Sequence, residues 1–256
     1  MKTLHVTTDP RGVVHVALNT PERRNVLSAA MIAELTELAQ GIGREARAVV
    51  LSGAGPVFCA GGDLDWMRAQ MQADRAQRIR EARKLADMLH AMNTLGAPLV
   101  GRLHGGAFGG GIGLACVCDV AVAAEGTQFC FSETRLGIIP ATIGPYVLAR
   151  IGEGKARRVF MSARVFDAAE AERLGIVARA VPAGDLDAAV EAEVAPYLQT
   201  APGAVAAAKR LTRDLGPRID PQVIEDSVRR LADIWESAEA MHGISAFLEK
   251  RRPDWG

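Results

Sequence analysis

Hydrophobic positions alternate with polar ones at the start of the chain. Leu4-His5-Val6 and Val13-Val14-His15-Val16-Ala17-Leu18 flank the turn-forming Asp9-Pro10-Arg11-Gly12, which predicts a hairpin. His5 and His15 fall within its strands and read as cross-strand packing. The period then lengthens. Met31, Leu35, Leu38 and Ile42 lie at i, i+4, i+7 and i+11, predicting a helix capped by Ser28 and ending near Gly43. Ala48-Val49-Val50-Leu51 is short and wholly apolar, as a buried strand is, and a glycine-rich loop follows over 52–62. Residues 65–93 predict a long amphipathic helix or helix pair whose inner face carries Ile79, Leu85, Leu89 and Met92, with its charges on a solvated face. Pro98-Leu99-Val100-Gly101 and the stretch 117–123 around Asp119 predict two more buried strands. Strands alternating with helices imply an α/β core with parallel pairing.

Beyond Arg150 the pattern becomes helical. Segments 167–175, 185–198 and 204–215 predict helices, and a last long one carries Ile224, Val228, Leu231 and Trp235. The economical division is a core over 1–195 and a helical region over 196–256, packing on that core or on a neighbouring subunit.

Composition narrows the function. Among 256 residues, 30 Lys+Arg balance 30 Asp+Glu, and Lys250-Arg251-Arg252 is the one short basic tract, so nucleic acid is not expected as a partner. Six of the nine residues from Gly105 to Gly113 are glycine, which argues against a membrane helix despite small-xxx-small spacings. The four cysteines form no C-x-x-C pair and no secretory signal is evident, so a reduced, cytoplasmic setting is expected and a zinc site is not.

Three segments carry candidate chemistry. Phe58-Cys59-Ala60-Gly61-Gly62-Asp63-Leu64 and His104-Gly105-Gly106-Ala107-Phe108-Gly109-Gly110-Gly111-Ile112-Gly113-Leu114 each follow a predicted buried strand. If such turns lead into helices, their free N–H groups can hold a developing negative charge. Equally, the glycines could serve tight strand–helix packing alone. Neither turn has the form of a phosphate loop, and no G-x-S-x-G elbow occurs. The third segment, Phe131-Ser132-Glu133-Thr134-Arg135-Leu136-Gly137-Ile138-Ile139-Pro140, sets a carboxylate among apolar residues. Burial would raise its pKa into the range useful for proton transfer, whereas a salt bridge to Arg135 would make it structural.

Together, and in this order, these segments resemble the crotonase superfamily, the enoyl-CoA hydratase/isomerase family. The likeness runs from Asn19-Thr20-Pro21-Glu22-Arg23-Arg24-Asn25-Val26-Leu27 through both glycine turns to Phe247-Leu248-Glu249-Lys250-Arg251-Arg252-Pro253. It implies an α/β fold made of a spiral of ββα repeats, with a carboxy-terminal helical region that forms trimers or hexamers. It also implies an acyl-CoA thioester as substrate and no separate cofactor, since coenzyme A belongs to the substrate. On matching positions, the amides of Gly62 and Gly110 would stabilise a thioester enolate and Glu133 would move protons. Arg24, Asn25, Val26, Ala60, Asp63, Leu64 and Gly113 would line the substrate, and Lys250 would reach a CoA phosphate.

One departure stands out. Family hydratases carry a first glutamate where this chain has Gly113, and the aspartate that some relatives place after Pro140 is also absent. One carboxylate suits hydration of a 2-enoyl-CoA, branched or carboxylated as in methylglutaconyl-CoA, by analogy with GGGIGL and SETRLGIIPA. Arg135 or Arg102 could then meet a substrate carboxylate. It also suits a Δ3,Δ2-enoyl-CoA isomerase, and a non-catalytic acyl-CoA-binding paralogue is the third reading.

Overall fold

A computed structural model of the chain describes residues 1–43 and 45–256. The hairpin forms as expected: β1 (Leu4–Thr8) pairs antiparallel with β2 (Val13–Leu18), Leu4 opposite Leu18. Helix α1 (Ala29–Gly41) follows, with Ser28 Oγ accepting the Met31 amide at 3.2 Å. Strand β3 (Ala48–Gly53) leads to the helix pair α2 (Leu64–Gln72) and α3 (Arg75–Asn93), then to β4 (Leu99–Leu103) and β5 (Gly106–Phe108). The two helices separate at Ala73-Asp74, and Asp74 caps α3 through the Gln77 amide.

The stretch 117–123 is not the single strand expected. Helix α4 (Gly110–Val117) consumes Val117, and β6 (Val120–Ala124) begins only after Asp119. Asp119 is drawn out of the strand by what it bonds. Its Oδ2 accepts the Leu99 amide at 2.7 Å and Lys209 Nζ at 2.6 Å. The chain continues through β7 (Gln128–Cys130), α5 (Gly144–Phe160), β8 (Phe166–Asp167), α6 (Ala168–Leu174), β9 (Arg179–Val181) and α7 (Leu186–Val194). It ends in α8 (Pro202–Leu215), α9 (Pro221–Ile234) and α10 (Ala238–Leu248). The helix expected over 185–198 stops at Val194. Ala195–Gln199 tighten into a 3-10 turn, Pro196 having no amide to donate.

One sheet has strand order β1-β2-β3-β4-β6-β9, parallel from β2 onward, and a second has the order β5-β7-β8. Alternation along the strands divides the large sheet's side chains between two layers. Val16, Val49, Leu51 and Leu99 face the main core with α1, α3 and α4, whereas Val13, Val50, Val100 and Val122 pack against Leu186, Val190 and Val194 of α7. A third apolar cluster joins Met67, Ala82, Ala86, Leu136, Ile138, Val228, Leu231, Trp235 and Ile244. The carboxy-terminal helices therefore fold back on this chain's own α2 and α3, and the candidate site lies beneath them. Among the described residues no helix is long and apolar enough to cross a membrane.

Lys209 is the tie between α8 and the sheet. Its side chain is 8% exposed and also donates to Ala97 O at 3.1 Å. Lys209→Ala strands a partly buried Asp119, with an expected loss of about 2–3 kcal/mol. Chemical denaturation checks this, and a loss below about 0.5 kcal/mol, the size of an ordinary surface change, contradicts it.

Candidate active site

The two glycine turns are stitched edge to edge. Phe58 N donates to His104 O, Cys59 N to Gly106 O and Phe108 N to Cys59 O, at 2.9, 3.1 and 3.0 Å. At Gly61, φ is +87° and a β-carbon would sit 2.6 Å from Phe108 O and 3.7 Å from Gly110 N. Glycine is required there, because any side chain would push the turns apart. Gly110 is the first residue of α4, so its amide has no intrahelical partner. Among the described residues neither the Gly62 nor the Gly110 amide donates a hydrogen bond. Both glycines line one cavity of about 140 Å³.

Glu133 reaches the same cavity from a 3-10 turn, Glu133–Leu136, closed by Gly137 in the left-handed region. Its Oε1 lies 3.0 Å from where a β-carbon on Gly109 would stand, so a residue without a side chain is what admits the carboxylate here. Oε2 is buried with no hydrogen-bond partner. Arg135 does not pair with it: that guanidinium turns away to Ala163 O. Burial without a counter-charge raises the Glu133 pKa from 4.5 to about 7, slightly offset by its own backbone amide. Such a carboxyl is poised for proton exchange near neutrality.

The remaining wall is mostly apolar: Leu27, Trp66, Met67, Leu85, Leu136, Ile138, Ile143, Leu231, Trp235 and Phe247. Ala60 and Asp63 also line it. The Asp63 carboxylate is already engaged, capping α2 through the Asp65 amide at 2.8 Å and pairing with Arg23 at 2.9 Å.

Several expected contacts fall elsewhere. Arg24, Asn25, Val26, Leu64, Gly113 and Lys250 are not among the lining residues. Asn25 is fully buried and its side chain is committed to backbone: Nδ2 donates to Ala54 O and Val57 O at 2.8 and 2.9 Å, and Oδ1 accepts the Thr20 amide at 2.9 Å. It holds the loop that carries Arg24, whose carbonyl accepts the Ala60 amide at 3.0 Å. Leu64 is 41% exposed as the first residue of α2. Lys250 is exposed beyond the end of α10, with φ +57°. At Gly113 a β-carbon would collide with Ile143 Cγ2, so Ile143 fills the space beside it and itself faces the cavity. Neither Arg102, paired with Asp187, nor Arg135 lines the cavity, and among the described residues no Lys, Arg or His does. His104, at the entry to the second turn, is held with Nε2 2.8 Å from Gly55 O.

Sequence reasoning missed Glu81, a cavity-lining carboxylate that accepts Lys84 Nζ at 2.7 Å. The charge pattern alone places it on the solvated face of its helix. Its i, i+4 relation to Leu85, an expected inward residue, was the available signal.

One apolar cavity of this α/β fold is thus lined by two glycines whose amides donate no hydrogen bond among the described residues and by a buried carboxyl of near-neutral pKa. Comparison with known proteins gives the particular family. The family described as Enoyl-CoA hydratase/isomerase matches residues 8–256, and the chain belongs to it. A putative enoyl-CoA hydratase of Thermus thermophilus is 32% identical over 247 residues, covering 94% of this chain and 96% of that protein. Among solved structures, an enoyl-CoA hydratase from Mycobacterium avium is 30% identical with a TM-score of 0.85, covering 100% of both chains. Pseudomonas aeruginosa AtuE is 38% identical with a TM-score of 0.79, covering 98% of each. The fold is thus the crotonase-type spiral with its helical carboxy-terminal region.

Two outcomes follow from this geometry. Asn25→Ala leaves the carbonyls of Ala54, Val57 and Phe58 and the Thr20 amide short of a partner in a buried loop, with an expected loss of about 3 kcal/mol. Thermal and urea unfolding measure it, and an unchanged midpoint contradicts the bracing role. For Glu133, a carboxyl whose pKa is raised on folding stabilises the native state fully below about 4.5 and ceases to do so as pH rises through 7. Glu133→Gln removes that dependence. The Tm advantage of the variant should therefore grow between pH 5 and pH 8, and an equal difference at both pH values would show a solvated carboxyl.

Proposed function

We propose that this enzyme hydrates a 2-enoyl-CoA, with the thioester oxygen held by the amides of Gly62 and Gly110 and with Glu133 as acid/base. The observation that carries the reading is the convergence in one cavity of two unpaired amides and an unpaired, buried carboxyl. Fixed donors aimed at a developing oxyanion contribute about 3–4 kcal/mol each to transition-state stabilisation. Here they are backbone groups of two stitched turns, so they need little reorganisation when charge develops.

A single carboxylate can complete the proton inventory. Ionised Glu133 takes a proton from water as the water oxygen bonds to C3, and electron density moves to the thioester oxygen as an enolate. Glu133 then returns that proton to C2, so H and OH have been added and the enzyme is restored. Branching at C3 suits the apolar wall. The methylglutaconyl-like alternative would bring its carboxylate to a cavity that offers no cation among the described residues, so an uncharged acyl group is the favoured substrate. Substrate binding by the loop of Arg24, Asn25 and Val26, by Leu64 and by Lys250 would act on the CoA moiety outside the cavity, through the Arg24–Val26 backbone where Asn25 is concerned.

The reading includes self-association as a trimer or a hexamer. Helix α8 buries no residue within the chain, and its Leu211 and Leu215 are 57% and 80% exposed, which is the condition of a helix awaiting a partner subunit.

The same lone carboxyl favours a second reading, proton transfer between C4 and C2 in a 3-enoyl-CoA. Turnover of crotonyl-CoA and 3-hexenoyl-CoA in H₂¹⁸O separates the two: hydration places ¹⁸O in the product, isomerisation does not. Glu133→Gln should lower kcat by about 10² or more. Since the base must be ionised, wild-type kcat/KM should rise with pH through about 7, the Glu133 value, and the variant should lack that limb. A variant within a few-fold of wild type, with the same pH limb, removes Glu133 from the mechanism.

A further inference from the structure

Part of the cavity wall is made by two tryptophans from helices distant in sequence. Trp66 lies in the first turn of α2 and Trp235 ends α9, and their rings meet edge to face at 5.9 Å and 87°. Trp235 is 1% exposed, and Arg78 lies over its ring at 6.0 Å, fixing it from behind. Both rings line the cavity, with Met67, Leu136 and Leu231 packed in the same apolar cluster. Two rings in such contact gain beyond their buried area and do not part readily for an incoming chain. The cavity of about 140 Å³ is close to the roughly 150 Å³ that accepts a benzene molecule. It has room for about six carbons.

Resting on the acyl-CoA reading above, we infer that the Trp66–Trp235 pair sets the upper limit of acyl length, restricting the enzyme to short-chain thioesters of up to about six carbons. Trp66 is the specificity-determining residue of the pair, because it is the less buried ring and reaches the cavity from the helix that begins just after Gly62. Trp235 serves as its backing.

The test is a binding series with saturated thioesters, which needs no turnover: Kd for butyryl-, hexanoyl-, octanoyl- and decanoyl-CoA by calorimetry. On a surface that merely offered more apolar contact, each added methylene would tighten binding about fourfold. Wild type should tighten to hexanoyl and then stop or weaken. Trp66→Ala should move that break outward by at least two carbons, while Trp66→Phe, which keeps a ring, should leave it within one methylene of wild type. A wild-type series without a break, whether rising or flat throughout, overturns the inference and needs no variant to do so. So does a break that a folded Trp66→Ala leaves in place. A clear break with no turnover of any 2- or 3-enoyl ester would instead preserve the length limit and defeat the proposed reaction, and failure to bind any thioester would defeat both.

Discussion

The site depends on how closely two backbone turns can approach. The ladder through Cys59, Gly106 and Phe108 brings the strand-to-helix turn at 60–63 alongside the turn at 105–110. That contact leaves no room for a side chain at Gly61 and sets the amides of Gly62 and Gly110 at one cavity. Everything that surrounds it supports this approach. Buried Asn25 fastens the preceding loop, the Gly109 amide donates to Cys130 O at 3.0 Å, and the parallel sheet supplies the strands from which both turns leave.

Given that frame, the electrostatics follow from what is missing. The cavity wall holds carboxylates at Asp63, Glu81 and Glu133 and, among the described residues, no cation. Asp63 and Glu81 are paired with Arg23 and Lys84. Glu133 alone is buried and unpaired, and desolvation raises it to about 7. Burial that would be a defect in a structural glutamate brings the titration of this one close to neutral pH. Ile143, packed against Gly113, keeps that side of the cavity apolar, and α4 itself carries no carboxylate.

Much of this was legible in the sequence where local chemistry is strong. Ser28 caps α1, the β1–β2 hairpin closes on its Asp-Pro-Arg-Gly turn, and both glycine turns and Glu133 meet at the cavity. What escaped depends on packing between distant segments. Asp119 was expected inside a strand and is held outside it by Leu99 and Lys209, 20 and 90 residues away. Trp235 was visible only as one member of a helical stripe, and nothing local announces that its partner is Trp66. Asn25 matched a substrate-loop position, yet its side chain is spent on carbonyls about 30 residues downstream, a commitment that spacing cannot reveal.

The most direct measurement is a crystal structure of the enzyme with a bound saturated short-chain acyl-CoA. The thioester oxygen should lie about 3 Å from both the Gly62 and Gly110 nitrogens, with the C2 and C3 atoms facing the Glu133 carboxylate. A thioester oxygen beyond hydrogen-bond reach of both amides, or an acyl group outside this cavity, would contradict the proposed mechanism.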